Sequence, residues 1–201
     1  MAKCLKVAAI SSLNLSNGNI KHKRKTIEDV KKHWEKEFEK VLPDQPDLIV
    51  LPEACDEWKQ SEKKLLHYYE NRGSEMLKWF SSKAKECQCY IACSMRRVDS
   101  FDSNSIYIID RKGKIAGRYN KNHPVITENT QLGIAYNDDA PLIQCDFGSI
   151  GCAICFDLNF TENLLNKYIE NRPDIIIFSS AYHGGIMQNY WRPVQIFDSR
   201  I

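Results

Sequence analysis

The sequence has no apolar run approaching the roughly 20 residues that a bilayer-spanning helix needs. Stretches such as Leu48 to Leu51 and Ile175 to Phe178 are of strand length, so the chain is expected to cross no membrane. Met1 to Ile10 does not read as a secretory leader either, because Ser11 and Ser12 cut off the short apolar run Val7 to Ile10. A cytoplasmic location is expected. Charge of one sign is also lacking: 28 Lys and Arg against 26 Asp and Glu leave +2, too little to make nucleic acid or an anionic membrane the default partner. The eight cysteines do not fall in loops at scaffold-like spacings; most sit inside apolar segments and read as reduced thiols. There is no internal repeat and no linker of biased composition, so residues 1–201 read as one domain. What remains is a balanced globular composition, 43% hydrophobic and 27% charged, which excludes disorder and fibres and points to a small-molecule partner.

The pattern of elements is α/β. A strand over Leu5 to Ile10 precedes a helix with Ile27, Val30, Trp34, Phe38 and Val41 on one face, capped by Thr26 and ended by Pro43. Leu48 to Leu51 predicts a strand buried on both faces. A helix over about 73–86 presents Met76, Leu77, Phe80 and Ala84. Short strands follow at Tyr90 to Met95, Ser105 to Asp110 and Lys114 to Tyr119, the last two joined by the hairpin signal Arg111-Lys112-Gly113. After a loop from Asn120 to Ala140, a second hairpin turns at Phe147-Gly148, and a helix over about 161–170 leads to a strand over 174–179. The mixture predicts one α/β domain with parallel and antiparallel strands.

Three ionisable residues stand just past predicted strands, where α/β folds commonly place their sites: Glu53, Lys121 and Cys155. Taken singly they are a surface carboxylate, a solvated lysine and a buried apolar cysteine. Together they are the parts of nucleophilic acyl chemistry: a thiol to attack, a carboxylate to take its proton, and a cation to hold the oxyanion.

The residues around them carry a resemblance. Leu51-Pro52-Glu53-Ala54, then Gly117-Arg118-Tyr119-Asn120-Lys121-Asn122-His123-Pro124, then Gly151-Cys152-Ala153-Ile154-Cys155-Phe156-Asp157-Leu158-Asn159-Phe160 resemble, in order and separation, the three catalytic motifs of the nitrilase superfamily, the carbon-nitrogen hydrolases. The resemblance extends from the first strand to Ser179-Ser180-Ala181-Tyr182. It implies an α-β-β-α sandwich and a Glu-Lys-Cys triad of Glu53, Lys121 and Cys155. It further implies that Glu128 supports the triad, that the Phe156 N–H binds the oxyanion, and that Tyr182 borders the pocket. Cys155-Phe156-Asp157 is closer to the amidase and carbamoylase branches than to the nitrile-cleaving branch, where Cys-Trp-Glu is usual. The implied activity is hydrolysis of a small amide or carbamoyl compound through a thioester, releasing ammonia or an amine, with no metal or organic cofactor. Nitrile hydrolysis by the same triad is the alternative. In one respect the chain departs from the family: Asn159-Phe160-Thr161-Glu162 stands where members often have Arg-Phe-Pro-Glu, so Asp157 lacks an arginine partner. The family also continues past the position of Ile201 with further strands. The chain is therefore expected to be a segment of a longer protein or to self-associate as a homodimer or larger homo-oligomer, and a non-catalytic assembly partner is a further alternative.

Other chemistries compete for the same residues. Cys152 and Cys155 could form a redox pair or half a zinc site with help from Cys87, Cys89 and Cys93, but positions three apart in an extended strand face opposite ways and no second C-x-x-C exists. Lys21-His22-Lys23-Arg24-Lys25 could touch nucleic acid, yet the helix after it is rich in Glu and Asp, which favours a solvated loop. His123 could serve Cys155 as base in a Cys-His pair; the family motif assigns that part to Glu53.

Overall fold

In the computed structural model, which describes residues 4–11, 26–58 and 61–181, the chain builds two sheets. The first runs from β1 (Val7–Ala9) through α1 (Ile27–Val41) to β2 (Leu48–Val50), then through α2 (Glu62–Arg72) and α3 (Glu75–Cys87) to β3 (Tyr90–Arg96). These three strands are parallel neighbours. β4 (Asn104–Ile109) and β5 (Ile115–Asn120) continue the sheet antiparallel. Past α4 (Ile126–Leu132) comes the second sheet, in which β7 (Gly148–Ile154) lies between antiparallel β6 (Ile143–Cys145) and parallel β8 (Ile175–Ser179), with α5 (Thr161–Asn171) connecting β7 to β8.

Local chemistry sets α1. The Thr26 hydroxyl accepts the Asp29 N–H at 3.2 Å while the Asp29 carboxylate accepts the Thr26 N–H at 2.8 Å, a reciprocal cap that satisfies two orphan donors. Pro43 falls just past the helix, in a 3₁₀ turn over Leu42–Asp44. The buried face of α1, Val30, Trp34 and Phe38, packs with Met76, Phe80 and Ala84 of α3 onto Ile49, Ile91 and Tyr107 of the first sheet. Each large side chain so removed from water contributes roughly 1.5–3 kcal/mol.

The opposite face of that sheet meets the second one, with Ile106, Ile108 and Tyr119 against Ile143, Ile150 and Cys152. α5 covers the outside. Its Tyr168 hydroxyl accepts the Cys152 N–H at 2.7 Å and donates to the Cys152 carbonyl at 2.6 Å. Gly151 permits this approach, since a β carbon there would lie 2.9 Å from the Tyr168 ring. The layers are helix, sheet, sheet, helix, the α-β-β-α sandwich that the resemblance implies.

Two helices lie where the sequence pattern predicts none. α2 buries Tyr68, Tyr69 and Arg72 in place of an aliphatic stripe. α4 interrupts the expected 120–140 loop and buries only Glu128 and Leu132. Both bear on the site.

Candidate active site

The site forms where β2, β3, β5 and β7 end. Leu51 prolongs β2 by donating its N–H to the Ala92 carbonyl at 2.9 Å, and the chain then turns sharply through Ala54, held at φ 53°. A non-glycine residue in the left-handed region costs free energy and needs its surroundings to hold it there. Here the Cys55 N–H donates to the Ser94 carbonyl at 2.9 Å and the Trp34 indole donates to the Cys55 carbonyl at 2.7 Å. Glu53 is thereby fixed and is only 4% exposed.

Lys121 follows β5, its N–H donating to the Asn104 carbonyl at 2.8 Å. At 1% exposure its ammonium must be paired. It is paired twice: Nζ donates to Glu53 Oε1 at 2.8 Å and to Glu128 Oε2 at 2.7 Å. Burial alone would lower the Lys121 pKa, but the two carboxylates outweigh it and push it up, so the ammonium form is secured. Glu128 also reaches back to the N–H of Val125 at the start of α4, at 3.1 Å. Burial would raise its pKa; Arg96 and Lys121 prevail and hold it below the ordinary value.

Cys155 begins a 3₁₀ turn over Cys155–Phe160, with φ 44°. It therefore lies past the end of β7 and does not share an extended strand with Cys152. Its thiol is half-buried, and burial followed by the Glu53 charge raises its pKa; Ser180 and Lys121 pull in the opposite direction. A raised pKa favours the thiol over the thiolate, and a thiol attacks only with a base to take its proton.

Three neighbours that no motif in the sequence marks complete the cluster. Asn104 donates through Nδ2 to Glu53 Oε1 and to Glu128 Oε1, both at 2.9 Å. Arg96 and Glu57 form an ion pair at 2.7 Å beside them. Arg96 had a legible signal, since it ends a strand just as Glu53 and Lys121 follow theirs; Glu57 had none.

Asp157 is satisfied without an arginine at 159–162. Its fully buried carboxylate accepts the Tyr119 hydroxyl at 2.7 Å, the Ile154 N–H at 2.9 Å and the His123 N–H at 2.7 Å, so three donors stand in for an arginine. The His123 ring stacks on Phe160 with centroids 4.2 Å apart, and its Nδ1 lies 3.4 Å from Asp157. Glu53 and Lys121 are the charges that act most strongly on the Cys155 thiol. Phe156 meets Phe160 edge to face at 5.4 Å. Tyr182 lies outside the described residues.

The carbon-nitrogen hydrolase family model matches residues 9–198. The chain belongs to the carbon-nitrogen hydrolase family. Human deaminated glutathione amidase is 25% identical over 150 residues, which are 67% of this chain and 46% of that protein. This carbon-nitrogen hydrolase chain spans about half the length of the curated relatives it matches. Among solved structures, an amidase from Nesterenkonia sp. superposes with a TM-score of 0.76 at 9% identity, covering 93% of this chain and 68% of that one. A carbon-nitrogen hydrolase from Helicobacter pylori G27 gives 0.66 at 20% identity, covering 88% and 59%. At those identities the two structures attest the fold.

Proposed function

We propose that this chain hydrolyses a carbon-nitrogen bond in a small non-peptide amide or carbamoyl compound by covalent catalysis at Cys155. The observation that carries the proposal is the buried Lys121 ammonium held between Glu53 and Glu128, with Glu53 and Lys121 both acting on the thiol. Glu53 takes the thiol proton as Sγ attacks the carbonyl carbon, and the Lys121 ammonium with the Phe156 N–H stabilises the tetrahedral oxyanion. The carbon-nitrogen bond then breaks, Glu53 delivers its proton to the departing ammonia or amine, and a thioester remains. Water, deprotonated by Glu53, attacks the thioester; the acid leaves and Sγ regains its proton. Every step uses a group of this chain.

The amide is favoured over the nitrile by Cys155-Phe156-Asp157 and by relatives that are themselves amidases. Ammonia release from matched amides and nitriles tests this. Amides should turn over and Cys155→Ala should not; faster release from the nitriles, or undiminished turnover in Cys155→Ala, would refute the proposal. The same proposal has the chain work in the cytoplasm as a homodimer or larger homo-oligomer. In support of association, Ile176 and Phe178 are exposed on β8, which among the described residues has a strand neighbour on one side only. Sedimentation of the chain measures the association directly.

A further inference from the structure

Arg96 ends β3 among three carboxylates that reach it from different parts of the fold. Nη1 donates to Glu57 Oε2 at 2.7 Å, and Nε and Nη2 reach Glu128 Oε1 at 2.9 and 2.7 Å. Glu53 Oε1 lies farther off, 3.5 Å from Nη2. Arg96 is itself held in place at its backbone. Its backbone carbonyl accepts Arg72 Nη2 at 2.6 Å, and Arg72 is buried in an ion pair with Asp56. On the other side the Tyr69 hydroxyl donates to Glu57 at 2.9 Å.

The charges nearly balance. Glu53, Glu57 and Glu128 face Arg96 and Lys121, which leaves one excess negative charge in a place where burial penalises it. Without Arg96, three carboxylates would share one ammonium, and a carboxylate would take up a proton at higher pH. The contacts are also unequal. Lys121 and Asn104 donate to both carboxylates, but Glu128 also receives Arg96 at close range and the Val125 N–H, whereas Glu53 receives the Ala181 N–H with Arg96 at the margin.

We infer that Arg96 is a positioning residue that divides the work of the two carboxylates, fixing Glu128 as the permanent counterion of Lys121 and leaving Glu53 free to exchange a proton with Cys155. The inference rests on the functional proposal above. That Arg96 and Lys121 hold Glu128 below its ordinary pKa agrees with it.

The test is the pH dependence of Cys155 alkylation by iodoacetamide, mapped by mass spectrometry in the full chain, which needs no substrate. The acid limb of that rate reflects the balance of charge around the Cys155 thiol, on which Glu53 and Lys121 both act. In Arg96→Gln that acid limb should move up by about one to three pH units, the usual effect of a lost opposite charge. Arg96→Lys should recover part of the shift. Glu57→Gln removes an anion from the same cluster and should move the limb down. A merely structural role would lower the rate at every pH and leave the limb in place, so an unmoved limb in folded Arg96→Gln overturns the inference. Should that variant not fold, Glu57→Gln decides alone, and an unmoved or upward-moved limb overturns it. Failure of the functional proposal looks different: amide hydrolysis that survives Cys155→Ala removes the nucleophile, and the inference with it, whatever the alkylation profiles show.

Discussion

The Tyr119 hydroxyl donates to Asp157 Oδ2 at 2.7 Å, joining the end of β5 in one sheet to the turn after β7 in the other. The bond lies between the lysine and the cysteine of the site, two residues from each. It ties the backbone segment that carries Lys121 to the one that carries Cys155, and burial has already pushed the Asp157 carboxyl above its ordinary pKa.

Tyr119→Phe should therefore cost roughly 1–3 kcal/mol, the usual range when a buried polar group loses a partner. Urea denaturation measures it. An unchanged midpoint would mean that the Ile154 and His123 N–H groups hold Asp157 without help.

Lys121→Ala should reduce amide turnover about 100-fold or more, the typical effect of removing an oxyanion donor. It also strands Glu53 and Glu128 without their shared cation. Steady-state rates on a variant shown to be folded check this; near-normal turnover would assign the oxyanion to other donors.

The depressed pKa of Glu128 is a statement about stability. The unfolded chain binds this proton near 4.5 and the folded chain binds it lower, so the contribution is complete above that value and is lost as pH falls through the folded one. Melting temperature should drop on acidification below about 4.5, and Glu128→Gln should flatten that part of the curve. Parallel curves for the two proteins would show that Glu128 is not the group responsible. Glu57 and Asp157, both raised by burial, contribute with the opposite sign. Comparing the variant with the wild-type chain separates Glu128 from them.

The α/β order was legible because the strands are short apolar-rich segments and because α1 and α3 repeat large apolar residues at helical spacing; the two-sheet sandwich was what the motif resemblance implied. Glu53, Lys121 and Cys155 stood out because each stands just past the end of a strand. α2 was hidden, since what it buries, Tyr68, Tyr69 and Arg72, is polar at the tip and breaks no pattern. α4 is short, and its buried Glu128 gives no apolar period. The partners of Arg96 could not be seen for a different reason: Glu57 and Glu53 are 39 and 43 residues away, and no local spacing encodes a contact of that range. Only the meeting of strand ends creates it.

Cys155 is expected to carry the acyl group during turnover. Acid quench during turnover of an amide, followed by peptide mass spectrometry, tests it most directly. The expected result is an acyl mass increment on the peptide containing Cys155, labile to hydroxylamine as a thioester and absent from Cys155→Ala. An increment on any other residue, or one that persists in Cys155→Ala, would contradict it.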